Sequence, residues 1–373
     1  MTRPYSLAVF AALNLAAALP AAAHGPNDPP HQSHCMGDLK LESGDAIKDF
    51  CISYVTHGTL NAAKSNAILM VTAISGNHHR IDYLIGPGRA LDPAKHFIIA
   101  TDAIANGLTT SPSNSKAQPR MQFPKFNMRD MVSSQHRLVV EKFGIKKLVT
   151  VIGASMGGML ATQWAVSHPD MMLSIVPIIP LGRTPAWSTA VLEMTRQGIM
   201  NDPNWNGGNY PAGAPPEKGM RLWAGWLLGV ITRTPEMHKG NFPNNMDIVG
   251  FLKGVSDGAW KRIDAVDWVY QTWAYDAHNV GTTPGFNGDY YKALRSIKAK
   301  TLILAGSGDL LNPEPEAREM AQYIPDARYL SIDAGRRMGH VAGAGISGAE
   351  NDLQNGEIAK MLDVVTQQGK LMQ

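Results

Sequence analysis

Ser155 lies in the pentapeptide Gly153-Ala154-Ser155-Met156-Gly157. A serine hydroxyl is a weak nucleophile at neutral pH. It needs a base, usually histidine, which is oriented in turn by a carboxylate. G-x-S-x-G supports that chemistry when a strand runs into it and a helix leaves it, because the tight turn then exposes the hydroxyl at the end of a sheet. Leu148–Ile152 reads as a buried strand and Met159–Val166 as a helix. A Cβ at position 153 or 157 would collide with the neighbouring strand and helix, so glycine is required there. The helix N-terminus would place its positive end beside developing negative charge. The same pentapeptide also occurs by chance in ordinary loops; the flanking strand and helix distinguish the two cases.

The partners of such a serine belong in loops after later strands, in the order serine, acid, histidine. The strand at Leu302–Ala305 is followed by Gly306-Ser307-Gly308-Asp309, which offers Asp309 as the acid in place of an ordinary turn aspartate. The strand at Tyr329–Ile332 is followed by a loop ending at His340, the last histidine of the chain. His278 is the alternative base, but it lies in a tryptophan-rich segment where the base is not expected. Two backbone N–H groups should bind the oxyanion: that of Met156, next to the nucleophile, and that of Ile74, after the strand at Ile68–Val71. His78 and His79 follow, either lining the pocket or capping the loop.

These residues need a sheet to position them. Apolar runs at 49–55, 66–73, 96–101, 148–152, 173–179, 300–305 and 327–332 read as strands. Helical patterns at 128–143, 315–324 and 357–366 alternate with them. Alternation of this kind argues for an α/β fold with a doubly wound, mainly parallel sheet. Residues 106–124 are loop. Residues 181–295 hold seven of the eight tryptophans and read as a helical lid inserted into the core. The core is then split into 38–180 and 296–373. His79 and the lid residue Trp223 are taken as substrate-lining. The aromatic lid suits a substrate with an apolar part, although helix aromatics more often pack a core. The lid is also the expected surface for a homodimer.

The N-terminus reads as a secretory signal. Arg3 supplies the positive charge, Leu7–Leu19 is apolar apart from Asn14, and Pro20 precedes Ala21-Ala22-Ala23. The apolar run, about 13 residues, is too short to span a bilayer. Cleavage after Ala23 gives a periplasmic or secreted protein. Residues 24–37 read as a flexible, proline-rich arm, whose His24, His31 and His34 are too irregularly spaced for a metal site; neither metal nor cofactor is expected. Cys35 and Cys51 form a disulfide in an exported protein, or remain two free thiols. The mature chain has 33 basic (34 less Arg3) and 31 acidic residues. With no basic stripe, nucleic acid is not an expected partner, and no later segment is long and apolar enough to span a membrane.

Several further stretches resemble homoserine O-acetyltransferase and its relatives within the α/β-hydrolase fold. They are Gly58–Ala63, Leu84–Asp92, Arg129–Val132, Gly153–Met159 with His168–Asp170, Asn204–Gly208 and Pro215–Gly219. The resemblance covers most of residues 38–340. It implies Ser155, Asp309 and His340 as a catalytic triad, and a lid that forms a tunnel. Two positions depart from the family pattern. The family's acetyltransferases carry Asp directly after the catalytic histidine, where it holds the substrate's amino group; here that residue is Val341. The segment Asn106–Ser113 also lacks the family's Gly-rich, Cys-containing form. The expected reaction is therefore hydrolysis of a small-molecule acyl ester. The alternatives are transfer from acyl-CoA to an alcohol, and a non-catalytic binding protein on the same scaffold.

Overall fold

The computed structural model describes residues 28–371; the segment read as a signal lies outside them. Among the described residues the first element is β1 (Gln32–Cys35), followed by a small ribbon of β2 (Leu39–Lys40) and β3 (Ala46–Ile47). The main sheet continues with β4 (Cys51–His57), β5 (Ala67–Val71), β6 (Phe97–Thr101), β7 (Leu148–Ala154), β8 (Met172–Ile178), β9 (Lys300–Gly306) and β10 (Ala327–Ile332). Its order is β1-β4-β6-β5-β7-β8-β9-β10. The β1/β4 and β4/β6 pairs are antiparallel, and the pairs from β6 to β10 are parallel.

All five residues of β5 and all seven of β7 are buried. That is the requirement of a parallel strand covered on both faces, and it explains why these strands read as continuous apolar runs. One face packs on α1 (Met128–Arg137), α2 (Met156–Ser167) and α9 (Glu314–Tyr323). The other packs on α10 (Gly348–Leu371) through Ile358, Met361, Leu362 and Val365. Asn127 starts α1 with a capping box: its side chain accepts from Asp130 N–H, and the Asp130 carboxylate accepts from Asn127 N–H. Between β8 and β9 come α3 (Ala186–Met200), α4 (Glu217–Trp223), α5 (Pro235–Asn241), α6 (Asp247–Ala259), α7 (Ala265–Asp276) and α8 (Tyr290–Arg295). None of the described helices is long and apolar enough to cross a membrane.

Three expectations are corrected. The segment 24–37 is not all flexible arm, because residues 32–35 pair with β4 as the edge strand β1. The closing helix begins at Gly348, not at 357. Its first turns are polar and glycine-containing, but Gln354 donates to Ala342 O at 3.0 Å and buried Glu350 pairs with Arg336 at 2.7 Å. Those contacts override the weak local propensity. Trp223 is not among the residues that line the large cavity: it is fully buried, with its ring 5.1 Å from that of Trp268 in the lid's own core.

Cys35 and Cys51 are register partners across β1 and β4 and are joined by a disulfide. The bond closes a loop of 16 residues in sequence separation and holds the edge strand to the sheet. Restricting the unfolded chain in this way contributes about 3 kcal/mol. The double variant Cys35→Ser/Cys51→Ser should lose about that much in urea unfolding, with an m-value equal to or slightly above that of wild type because its unfolded chain is less restricted.

Candidate active site

The chain leaves β7 at Ala154 and reverses at Ser155, whose backbone has φ 59° and ψ −120°. A non-glycine residue in this region is strained and persists only where its surroundings over-determine it. Here they do. Ser155 N–H donates to Ile178 O of β8 at 2.9 Å, and Met156 opens α2 immediately afterwards. A Cβ on Gly153 would stand 2.4 Å from Val71 O, and one on Gly157 would also stand 2.4 Å from it. Side chains at either place would push the elbow away from β5.

The loop after β9 carries Asp309, and the turn after β10 carries His340. These loops meet backbone to backbone: a Cβ on Gly306 would lie 2.4 Å from Gly339 O, and Gly339 N–H donates to Ser307 O at 3.0 Å. Asp309 Oδ1 accepts from the N–H groups of Leu311 (2.8 Å) and Asn312 (2.9 Å). Its Oδ2 lies 2.7 Å from His340 Nδ1, and His340 Nε2 lies 2.8 Å from Ser155 Oγ. An ionised carboxylate only accepts, so Nδ1 carries the proton and Nε2 is left to accept from the serine hydroxyl. Ser155, Asp309 and His340, all buried, thus form one hydrogen-bonded chain, as their order in the sequence predicts. His278 is elsewhere. Its Nε2 lies 3.1 Å from Leu181 O, and burial lowers its pKa to about 4.

Residues 66–344 match the family model for the alpha/beta hydrolase fold. A homoserine O-acetyltransferase from Nostoc punctiforme is 33% identical over 307 residues, 78% of this chain and 85% of that protein. Among solved structures, an acetylester hydrolase from Corynebacterium glutamicum superposes with a TM-score of 0.83 at 28% identity, covering 90% of this chain and 96% of that one. The homoserine O-acetyltransferase from Bacillus anthracis gives 0.81 at 25% identity, over 89% and 97%. The chain belongs to the α/β-hydrolase fold family, as a homoserine O-acetyltransferase-like member.

In this hydrolase-fold chain, Val71 pairs with Gly153, so the residues after β5 pass beside the elbow. That places the turn 72–76, with Ile74, next to Met156 and Ser155. The lid fixes this turn: Ser75, at φ 53°, donates its N–H to Gln271 Oε1 of α7 at 2.9 Å, and Gln271 Nε2 donates to Ile104 O at 3.1 Å. Two residues near the triad have no motif in the sequence. Tyr275 Oη donates to Asn312 Oδ1, and Asn312 Nδ2 donates to Ile179 O at 2.7 Å. Burial, with the nearby Asp309 charge, pushes the Tyr275 pKa far up, so it stays a neutral donor. Helical spacing places Tyr275 on the lid but gives no sign that it faces Asn312.

Behind the same loop, buried Asp102 accepts from His78 N–H at 3.0 Å and Asn106 Nδ2 at 3.0 Å. Its other oxygen meets His78 Nδ1 at 2.9 Å and Ser53 Oγ at 2.5 Å. Burial raises its pKa, but hydrogen bonds from His31, His78 and Ser53 outweigh it and keep the carboxyl below the usual range. One donor atom each of His31, His78 and Asp102 lies within 4.8 Å of the others, a spacing that could hold a metal ion. The hydrogen bonds among them and Ser53 already account for the arrangement, which braces the loop at 76–80.

A cavity of about 930 Å³ opens from this loop and is lined by Ser75, Gly76, His79, Arg80, Asp267 and Ala344, among others. Its floor includes fully buried Asp267, which accepts from Ser113 N–H at 2.9 Å and Ser113 Oγ at 2.5 Å. Burial, then the charge of Asp264, push the Asp267 pKa up to about 8. The unfolded chain therefore releases this proton above about pH 4, the folded chain only near 8, and stability falls as pH rises through that window. Asp267→Asn keeps an acceptor for Ser113 and removes the ionisation. Its Tm advantage over wild type should grow from pH 5 to pH 8 and level off above, as scanning calorimetry would measure.

Proposed function

We propose that the protein is an exported serine esterase that hydrolyses a small-molecule acyl ester. The observation that carries this reading is the hydrogen-bonded chain Ser155–His340–Asp309 at a nucleophile elbow. His340 Nε2 takes the hydroxyl proton as Ser155 Oγ attacks the ester carbonyl. Asp309, held by two N–H groups, stabilises the imidazolium and the tautomer. Met156 N–H and Ile74 N–H receive the oxyanion, with α2's positive end behind them. His340 then protonates the departing alcohol, leaving an acyl-enzyme. Water, deprotonated by the same nitrogen, releases the acid and restores the serine.

Water is favoured as acceptor by three features. Val341, directly after His340, is buried in an apolar cluster and cannot pair with a substrate ammonium. The Cys35–Cys51 bond and the leader at 1–23 both fit an oxidising compartment outside the cytoplasm, where acyl-CoA is not supplied. The C. glutamicum structure of similar shape is an acetylester hydrolase. The second reading, transfer of an acyl group from acyl-CoA to an alcohol, is supported by the homoserine O-acetyltransferases at 33% identity.

Short-chain 4-nitrophenyl esters should be hydrolysed, and Ser155→Ala should lower kcat at least about 10⁴-fold. Turnover unchanged in that variant would sink the mechanism. Acetyl-CoA consumption with homoserine that outruns ester hydrolysis would reverse the choice of acceptor.

A further inference from the structure

The carboxylates that line the large cavity are already engaged. Asp264 pairs with Arg120 at 2.9 Å and accepts from Tyr210 Oη. Glu217 pairs with Arg221 at 2.7 Å, and Asp267 accepts from Ser113 N–H and Oγ, with burial pushing its pKa up. The cations of the same wall are not balanced in this way. Among the described residues, neither the Arg80 nor the Arg262 guanidinium has a carboxylate within ion-pair distance or a hydrogen-bond acceptor, and both line the cavity. Lys261, next in the wall, has its ammonium 4.9 Å from the centre of the Trp260 ring and no carboxylate partner either.

Arg80 is half-buried and Arg262 exposed at the mouth of the same cavity; burial lowers the Arg80 pKa, with Tyr83 opposing and the charge of Arg262 adding to the shift. Both guanidinium groups stand on the wall of one cavity without a carboxylate partner, so the protein itself leaves their positive charge uncompensated there. An arriving oxyanion relieves this, because each planar fork can donate two parallel N–H bonds to it. Arg80 follows directly on the turn 72–79 that leaves β5, and Ser75 and Gly76 of that turn line the same cavity, which puts the two arginines on the side of the fold that carries Ser155.

We propose that Arg80 and Arg262 form an anion subsite, and that the ester hydrolysed at Ser155 carries a carboxylate or phosphate on the part lying in this cavity. The proposal rests on the esterase reading for its chemistry but not for its binding step. The mixed, charged lining also revises the expectation of a substrate recognised through an apolar part, since Trp260 is the only tryptophan among the lining residues.

Two matched ester pairs test it: 4-nitrophenyl hydrogen glutarate against its methyl ester, for a charge on the acyl side, and 3-acetoxybenzoate against its methyl ester, for a charge on the alcohol side. In at least one pair the charged member should have the higher kcat/KM. That preference should fall about 10- to 100-fold in Arg80→Gln/Arg262→Gln, chiefly through KM. Single Arg262→Gln, at an exposed position, serves if the double variant does not fold. In parallel, glutarate and inorganic phosphate, at constant ionic strength, should raise the Tm of Ser155→Ala but not of the same protein carrying the arginine changes; the more effective of the two identifies carboxylate or phosphate. Failure of wild type to hydrolyse any ester through Ser155 would overturn the esterase reading alone, and the Tm shifts would still decide the subsite. No charge preference and no Tm shift, or the same values after both arginines are replaced, would overturn the subsite.

Discussion

The backbone of β5 approaches the elbow so closely that no side chain fits between them. Val71 O sits where a Cβ of residue 153 or 157 would have to be. This contact makes the rest of the site geometrically possible. It presses the end of β7 and the start of α2 against β5, forcing the reversal to occur within the single residue Ser155 at positive φ. The strain is offset by the parallel ladder on either side, where β7 pairs with both β5 and β8. A strained nucleophile is therefore fixed by the most buried part of the molecule, and its hydroxyl direction is not left to a flexible loop.

A second backbone contact of the same kind, between Gly306 and Gly339, does for the acid and base what the first does for the nucleophile. The loops after β9 and β10 come from neighbouring parallel strands, and their abutting glycines set the separation of Asp309 from His340. Side chains act one layer further out. Asn312 ties the acid loop to Ile179 at the end of β8, and Tyr275 reaches down from the lid to hold Asn312. Gln271, on the same helix α7, holds the turn that carries Ile74. The lid helix is thus part of the positioning of both the triad and the oxyanion turn.

What was legible in the sequence follows this division. Strand positions and the order serine, acid, histidine were readable because each rests on local signals: continuous apolar runs, glycines at the elbow, and loops directly after strands. Trp223 was misread because a tryptophan in a lid looks the same in sequence whether it faces a cavity or Trp268. Residues 32–35 were hidden among prolines and histidines, and become a strand only because β4 offers an edge and Cys51 a bond. The early start of α10 depends on Gln354 and Glu350 finding partners at Ala342 and Arg336. Tyr275, Asp267 and the pair Arg80–Arg262 share this character. Their significance lies in what faces them from segments far away in sequence, which periodicity does not encode.

The same division bears on which molecule receives the acyl group. The acyl-transfer machinery is built from glycines, N–H groups and three side chains fixed by backbone contacts, and none of these parts senses the acceptor. Under the proposed function, recognition of acceptor and leaving group is left to side chains outside this machinery. Val341, directly after His340, offers no charge to a substrate, and its N–H donates to Thr232 O at 3.1 Å, which ties the His340 turn to the lid. One scaffold can therefore move between alcohol and water as acceptor by changes confined to the wall, with the triad geometry untouched. The fold thus fixes the nucleophile, base and acid through backbone contacts, while the charge pattern of the cavity wall is set by side chains such as Arg80 and Arg262 that those contacts do not touch.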